Sequence, residues 1–199
     1  MNLFGLTGGV GMGKSTTARL LQDRHVPIVD TDQLARELVL PGQPALADIQ
    51  NAFGPEFVSP DGQLRRQDLA EIVFADATAR KKLEAILHPK IRERWLAQVE
   101  IWKKEGRGLV VVVIPLLFET RAESRFNKII CVACSLNSQR ERLAARGWTP
   151  KQVRQRIAAQ MPIAEKISRA DFVIWTEGDL QNHALQLDRI LAPPSQETT

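Results

Sequence analysis

The chain has 199 residues, 44% of them hydrophobic and 25% charged, which is enough for one compact domain with a substantial core. Its formal net charge of +4 excludes a polycation built for nucleic acid and suits an anionic small substrate equally well. No apolar run approaches the roughly 20 residues of a membrane-spanning helix, and the N-terminus lacks a secretory signal pattern. We therefore expect a cytoplasmic protein, a monomer or weak homo-oligomer, that binds neither nucleic acid nor membrane.

Short apolar runs alternate with helical patterns along the chain. The predicted strands are 3–6, 26–29, 109–114, 129–132 and 172–175, and the predicted helices are 15–24, 32–39, 66–74, 77–105, 138–146, 150–160 and 180–191. The run at 109–114 is continuous rather than alternating, as a central strand covered on both faces requires. The alternation predicts an α/β fold, a three-layer parallel sheet with helices on both faces.

Uneven spacing of the predicted strands indicates insertions. A long strand-free segment separates the second strand from the third, and a second, arginine-rich segment precedes the last strand. We predict a single domain with its core at 1–40, 106–137 and 171–192. The helical insertion lies at about 41–105, the helical lid at about 138–165, and a polar, frayed tail at 193–199.

A phosphate-binding motif, G-x-x-x-x-G-K-[ST], runs from Gly8 to Ser15 between the first strand and the first helix. Its glycines let backbone N–H groups turn inward around phosphate oxygens. Lys14 would contact the β- and γ-phosphates, the Ser15 hydroxyl would ligate Mg²⁺, and Thr16 would add an N–H from the helix N-terminus. A glycine-rich turn with an incidental lysine is disfavoured by this strand and helix context, so the sequence predicts nucleotide binding.

Two carboxylates follow the second predicted strand, Asp30 and Asp32. Strand ends beside the glycine loop face the crevice where ligands of such sheets bind. Capping the following helix is the structural alternative for either residue. We predict that one meets the acceptor or magnesium while the other caps the helix, and we favour Asp32 as the catalytic residue.

Arginines in the lid segment provide candidate cations for the transferred phosphoryl group. Arg142 and Arg146 are four residues apart and share a helical face, and Arg156 and Gln160 repeat that spacing. A solvated basic face is the ordinary explanation. Because the segment lies where a lid would close over the triphosphate, we predict that Arg142 or Arg146 contacts ATP.

The two cysteines, Cys131 and Cys134, have C-x-x-C spacing. A redox pair would need a helix N-terminus, and a zinc site would need a second ligand pair. Because they lie in an apolar run with the character of a strand, we predict two buried small hydrophobic side chains.

Several further segments, in this order, resemble the bacterial dephospho-CoA kinases over nearly the whole chain. They are residues 6–16, Asp30-Thr31-Asp32 with Ala35-Arg36, His88-Pro89 with Ile91-Arg92, Pro115-Leu116-Leu117-Phe118-Glu119, Gln139 with Arg142 and Arg146, and Arg156 with Gln160-Met161-Pro162. The resemblance implies a P-loop small-molecule kinase, similar in fold to nucleoside monophosphate kinases. It would transfer the γ-phosphoryl group of ATP, with Mg²⁺, to the ribose 3′-hydroxyl of dephospho-CoA, the last step of coenzyme A synthesis.

The resemblance also implies roles for individual residues. Lys14, Asp32 and Arg142 would be catalytic, with Asp32 activating the 3′-hydroxyl, and Glu119 would orient an arginine or the waters of magnesium. The ATP-binding residues would be Gly11, Met12, Gly13, Lys14, Ser15, Thr16, Arg142 and Arg146, with Ser15 also holding the metal. The substrate-binding residues would be Asp32, Arg36, His88, Arg92, Leu116 and Phe118. From the residues alone, His88 before Pro89 suits a helix-breaking turn, and the apolar residues after the third strand suit the core.

Two positions depart from the family pattern. Trp175-Thr176-Glu177-Gly178 stands where relatives carry an Asp-Asn pair followed shortly by glycine near the adenine, so adenine contacts there would be made by the backbone or in another way. Met12 replaces the usual small residue, at a position expected to contribute mainly its backbone.

Parts of this sequence are also compatible with two other functions. A nucleoside monophosphate kinase or another small-metabolite kinase would share the loop and lid but would not need His88-Pro89 or the segment 115–119. A non-enzymatic nucleotide switch reading guanine would need an N-K-x-D sequence, which the chain lacks.

Overall fold

The computed structural model of the protein describes residues 1–192, so the predicted frayed tail at 193–199 lies outside the described residues. The chain forms two compact units. The first comprises Met1–Ile28 and residues 106–192, and the second is Val29–Glu105. The second unit begins before the predicted insertion at about 41.

The strands are β1 (Asn2–Gly8), β2 (Ile28–Asp30), β3 (Leu109–Val113), β4 (Lys128–Ala133) and β5 (Phe172–Trp175). The helices are α1 (Lys14–Asp23), α2 (Thr31–Glu37), α3 (Pro44–Phe53), α4 (Arg66–Ala75), α5 (Ala77–Lys104), α6 (Leu136–Ala144), α7 (Pro150–Ala158), α8 (Ile163–Arg169) and α9 (Leu180–Leu191).

The sheet has the strand order β2-β3-β1-β4-β5, and β1 pairs in parallel with both β3 and β4. Strand β4 pairs in parallel with β5. The predicted α/β fold with a parallel sheet is therefore confirmed. Because the carboxyl ends of parallel strands share one edge, the residues that follow β1, β3, β4 and β5 gather at that edge.

The continuous apolar run at β3 matches the position of this strand inside the sheet. Residues from Val110 to Val113 are at most 2% exposed, as expected for a strand covered on both faces. The core of the first unit consists of Leu6, Leu20, Leu21, Val111, Val113, Ile130, Val132, Ile174 and Leu187. These side chains come from strands β1, β3, β4 and β5 and from helices α1 and α9, so the sheet is packed against helices.

Two helices were missed by the sequence prediction, α3 and α8. Pro44 occupies the first turn of α3, where its missing N–H costs nothing, and the helix buries Ala45, Leu46 and Ile49. It lies inside the segment predicted as a helical insertion, for which no helix was predicted before residue 66. Helix α8 has only seven residues, which is too short for a periodic pattern to stand out.

The helix-breaking alternative for His88-Pro89 is wrong, because α5 runs without interruption from Ala77 to Lys104. A proline inside a helix removes one hydrogen bond and crowds the preceding turn. Here Leu87 and Ile91, on either side of Pro89, pack against the core of the second unit. We infer that this packing outweighs the local cost of Pro89.

The core of the second unit is separate and helical. It consists of Leu38, Val39, Ala45, Ile49, Phe57, Leu69 and Val73, with Leu83, Ile86, Leu87 and Ile91 of α5 packed against it. Helices α2, α3 and α4 each pack against α5. The second unit is therefore organised around one long helix.

Cys131 and Cys134 are both buried and unlinked, as predicted. Burial raises the pKa of the Cys131 thiol to about 11, so it stays protonated at neutral pH.

Within residues 1–192, no helix combines the length and apolar character needed to cross a bilayer.

Candidate active site

The glycine loop connects β1 to α1 and depends on backbone conformations that glycine adopts readily. Gly13 caps α1 with φ 103°, in the left-handed region. A Cβ atom at Gly13 would also lie 3.1 Å from Cγ2 of Thr176. The Lys14 ammonium lies within the loop and donates to the carbonyl oxygens of Gly8 at 2.8 Å and Gly9 at 2.9 Å. The predicted phosphate loop is thus formed, with its lysine folded over it.

Two glutamines hold the peptide groups of Val10 in the centre of the loop. Gln139 Nε2 donates to the Val10 carbonyl oxygen at 2.7 Å, and the Val10 N–H donates to Gln160 Oε1 at 2.9 Å. Gln139 lies on α6 and is only 2% exposed. The arginine-rich segment therefore contacts the loop through both of these residues, which the resemblance included without assigning them a role.

Met12 does more than supply its backbone, contrary to the expectation from sequence. Its side chain is 1% exposed and packs with Ala133, Cys134, Ile163 and Ile167. This small cluster joins the loop to the end of β4 and to helix α8. The side chain at this position thus helps to fix the loop on the sheet.

Arg142 is bound in two places by Thr176. Its Nη1 donates to Thr176 Oγ1 at 2.8 Å and its Nη2 donates to the Thr176 carbonyl oxygen at 2.6 Å. The same hydroxyl donates to the Met12 carbonyl oxygen at 2.9 Å. Thr176, which stands in the loop that departs from the family pattern, therefore links Arg142 of α6 to the glycine loop.

Glu177, the next residue of that departing loop, anchors the start of α6. Its Oε1 accepts from the Ser135 N–H at 2.8 Å, while the Ser135 side chain caps α6. Hydrogen bonds from Ser135 lower the pKa of Glu177 below its usual value. The helix that carries Gln139 and Arg142 is thus positioned by the segment after β5.

A pocket of about 470 Å³ opens beside the glycine loop. Its walls include five of the predicted ATP-binding residues, namely Gly11, Gly13, Thr16, Arg142 and Arg146. Arg146 lies just beyond the end of α6, because the helix begins and ends two residues earlier than predicted, but both arginines still line the pocket. The remaining walls are Ala145, Thr176, Gly178, Asp179, Leu180 and His183.

His183 is a pocket residue that sequence reasoning missed. It is 4% exposed, and its Nε2 lies 2.9 Å from Thr17 Oγ1 on α1. Burial, followed by the charge of Arg142, lowers the pKa of His183 below 6.5. The imidazole is therefore neutral at physiological pH and acts as a hydrogen-bonding group of the pocket wall. No motif marks it, because its partner lies 166 residues away.

The segment after β3 is held by a buried lysine. Lys166 Nζ donates to the Pro115 carbonyl oxygen and to Glu119 Oε1, each at 2.8 Å. The same Glu119 oxygen accepts from the Met161 N–H at 2.8 Å. The sequence analysis expects Glu119 to orient an arginine or the waters of magnesium. In the structure, its Oε1 instead accepts from the Lys166 ammonium and from the Met161 N–H.

The two predicted substrate residues in this segment differ in accessibility. Phe118 is 3% exposed, with the Arg169 guanidinium 4.5 Å from the centre of its ring. Leu116 is half-buried. Leu116 is therefore the more available of the two for an apolar contact with a ligand.

Five of the residues singled out from the sequence, Asp30, Asp32, Arg36, His88 and Arg92, belong to the second unit. Asp30 caps α2, because its Oδ1 accepts from the Asp32 N–H at 2.8 Å, and this confirms the predicted capping role for one of the two carboxylates. The Asp32 side chain is exposed. Arg36 is exposed near the end of α2, and its carbonyl oxygen accepts from Arg66.

His88 and Arg92 lie four residues apart on α5, so they share one face of that helix. Burial lowers the pKa of His88, Glu84 opposes this change, and Arg92 adds to it. His88 is therefore a neutral donor or acceptor beside a cation, a combination suited to an anionic ligand.

Comparisons with known proteins agree with this geometry. The family model described as dephospho-CoA kinase matches residues 2–182. The chain is 42% identical to the dephospho-CoA kinase of Bdellovibrio bacteriovorus, over 96% of this chain and 95% of that one. It is 44% identical to the dephospho-CoA kinase of Anaeromyxobacter dehalogenans, over 96% and 92%. The solved structure of dephospho-CoA kinase from Campylobacter jejuni superposes with a TM-score of 0.70 at 26% identity, covering 96% of this chain and 95% of that one.

Proposed function

Because the chain belongs to the dephospho-CoA kinase family, we propose that it transfers the γ-phosphoryl group of ATP to the ribose 3′-hydroxyl of dephospho-CoA. The products would be coenzyme A and ADP, in the last step of coenzyme A synthesis. The observation that carries the proposal is the pocket beside the glycine loop, which Arg142 and Arg146 line together with Gly11, Gly13 and Thr16.

ATP would occupy this loop and pocket. Inward-facing N–H groups of the loop and the N-terminus of α1 would bind the phosphates, and Lys14 would turn from the loop carbonyls toward the β- and γ-phosphates. Arg142, held by Thr176, would place its charge near the transferring group without a large loss of side-chain entropy.

A magnesium ion fits the residues present. Ser15 is exposed on the first turn of α1, and its hydroxyl is the type of hard oxygen ligand that Mg²⁺ prefers. When bound, the ion would shield the charge on the β- and γ-phosphates. Ser15 would supply the protein ligand.

Asp32 would accept or orient the proton of the 3′-hydroxyl as that oxygen attacks phosphorus. Support for this role comes from the positions of the two carboxylates, because Asp30 caps α2 and the Asp32 side chain is exposed. Arg36, His88, Arg92, Leu116 and Phe118 remain the proposed substrate-binding residues.

An acceptor panel tests the proposed reaction. Purified protein with Mg²⁺ and ATP is assayed for ADP release in the presence of dephospho-CoA, AMP or other nucleoside monophosphates. We expect release that depends on dephospho-CoA and that falls by at least about 10²-fold in Lys14→Ala, the usual scale for a lost electrostatic stabiliser. Release stimulated by a nucleoside monophosphate but not by dephospho-CoA would establish the alternative kinase activity.

A further inference from the structure

Lys166 is the largest fully buried side chain outside the apolar core, at 0% exposure on α8. Removing an ammonium group from water is costly unless hydrogen bonds and an opposite charge replace the water. Both are present, because Nζ donates to the Pro115 carbonyl oxygen and pairs with Glu119 Oε1 at 2.8 Å each. The second oxygen of Glu119 is buried without a hydrogen-bond partner among residues 1–192, so Lys166 provides the main compensation for this carboxylate.

The atoms bound by Lys166 also bind residues beside the glycine loop. The Pro115 carbonyl oxygen accepts a second bond, from Thr7 Oγ1 at 3.2 Å, and Thr7 immediately precedes Gly8 of the loop. Through this shared oxygen, the strand that enters the loop and the segment that follows β3 are held together.

Glu119 Oε1 makes a second connection, to the end of the arginine-rich segment. It accepts from the Met161 N–H at 2.8 Å, and the neighbouring residue Gln160 accepts from the Val10 N–H in the loop. Lys166 thus contacts two groups that lead to the glycine loop. The Pro115 carbonyl oxygen reaches its flanking residue Thr7 through one further hydrogen bond. Glu119 reaches Val10 through two further bonds, one to the Met161 N–H and one made by the adjacent Gln160.

We propose that Lys166 is a positioning residue for phosphoryl transfer, which fixes the 115–119 segment and Gln160 relative to the glycine loop without touching ATP. A displacement of about 1 Å at such groups can reduce a rate by up to about 10²-fold. The inference rests on the proposed kinase function for its rate measurement, but it also predicts a change in ATP binding that needs no acceptor.

The test separates positioning from a contribution to stability alone. Lys166→Met removes the ammonium and leaves Glu119 uncompensated, so this variant is expected to be destabilised. The double variant Lys166→Met with Glu119→Gln removes both charges and keeps an oxygen that accepts from the Met161 N–H. Replacing a buried ion pair by neutral residues of similar size is often neutral in stability, so its melting temperature should return to within about 3 °C of the wild type.

The matched control is Lys128→Met, because Lys128 also pairs with a carboxylate, Asp171, at 2.9 Å but is half exposed. Each variant is measured for melting temperature, for kcat with dephospho-CoA and for the dissociation constant of a fluorescent ATP analogue. We expect the double variant to lose about tenfold or more in kcat and to bind the analogue about tenfold more weakly, while the control matches the wild type.

Recovery of both kcat and nucleotide affinity together with the melting temperature in the double variant would overturn the proposal, since Lys166 would then serve stability alone. A double variant that does not fold would overturn it as well. If the wild type does not turn over dephospho-CoA, the proposed function fails, and the nucleotide affinities of the folded variants still decide the role of Lys166.

Discussion

Gln139 Nε2 donates to the carbonyl oxygen of Val10 at 2.7 Å, across 129 residues of sequence. The N–H of the same valine donates to Gln160 Oε1, so side chains bind both backbone polar groups of one loop residue. A glycine-rich loop has many accessible backbone conformations, and this pair of bonds reduces their number before a ligand binds. The loop is therefore partly preorganised by side chains that lie more than 120 residues further along the sequence.

Replacing Gln139 by Met tests this preorganisation. The side chain keeps its length, but the bond to the Val10 carbonyl oxygen is lost, and we expect the KM for ATP to rise about tenfold, equivalent to about 1.4 kcal/mol. Gln186→Met is the control, because the Gln186 side chain also donates to a backbone carbonyl oxygen, that of Trp175 on edge strand β5, and in addition accepts from the Trp175 N–H. An unchanged KM in Gln139→Met, or an equal change in the control, would contradict the prediction.

Thr176→Val tests the link between Arg142 and the glycine loop. Valine has nearly the same shape but lacks the hydroxyl that accepts from Arg142 and donates to the Met12 carbonyl oxygen. Loss of these buried bonds should lower the free energy of unfolding by about 1–3 kcal/mol. We also expect kcat/KM for ATP to fall about tenfold as Arg142 loses one of its two anchors.

Thr176→Ser is the control for that experiment, because it keeps the hydroxyl and removes only the methyl group near Gly13. Denaturant unfolding and steady-state kinetics should place it much closer to the wild type than Thr176→Val. If the serine variant is as impaired as the valine variant, packing rather than hydrogen bonding is the contribution of Thr176.

The neighbouring carboxylates Asp30 and Asp32 allow a paired test of the proposed base. Asn is as good a helix cap as Asp, so Asp30→Asn should retain the bond to the Asp32 N–H and near-normal activity. Asp32→Asn cannot accept a proton, and we expect kcat with dephospho-CoA to fall by about 10²-fold or more. The reverse order of effects would assign the base to Asp30.

The lowered pKa of His183 predicts a pH dependence of stability. Its folded-state pKa lies below 6.5 because the ring is buried, so the unfolded chain takes up the proton first as the pH falls. The free energy of unfolding should therefore decrease as the pH falls from about 7 through the folded-state pKa of His183. His88, whose pKa is also lowered by burial, contributes in the same direction.

Melting temperatures of the wild type and His183→Gln between pH 7.5 and 5 measure this effect. Glutamine can reach Thr17 but does not titrate, so the variant should lose less stability than the wild type on acidification. His25→Asn is the control, because His25 is exposed and Asn accepts its positive φ of 58°. A wild type and His183→Gln with the same pH dependence would contradict the prediction.

The sequence alone revealed the features that depend on neighbouring residues. The loop from Gly8 to Ser15 could be predicted because phosphate binding needs glycine, lysine and serine at fixed spacing. Strand β3 could be predicted because a strand buried on both faces is continuously apolar. Asp30 as a helix cap was also open to prediction, since a cap lies beside the helix that it serves. By contrast, Pro89 was misleading, because long-range packing of α5 outweighs a local penalty.

The tertiary structure alone decided which polar side chains become buried partners. In the sequence, Lys166 cannot be told from a surface lysine on a short helix. His183 belongs to no motif, and Thr176 lies where the chain departs from the family pattern. Each gains its role from a group more than 30 residues away, Glu119 or Pro115 for Lys166, Thr17 for His183 and Arg142 for Thr176. Burying a polar group is favourable only when such a partner is in place, and the partner is fixed by how the chain folds rather than by the residues next to it.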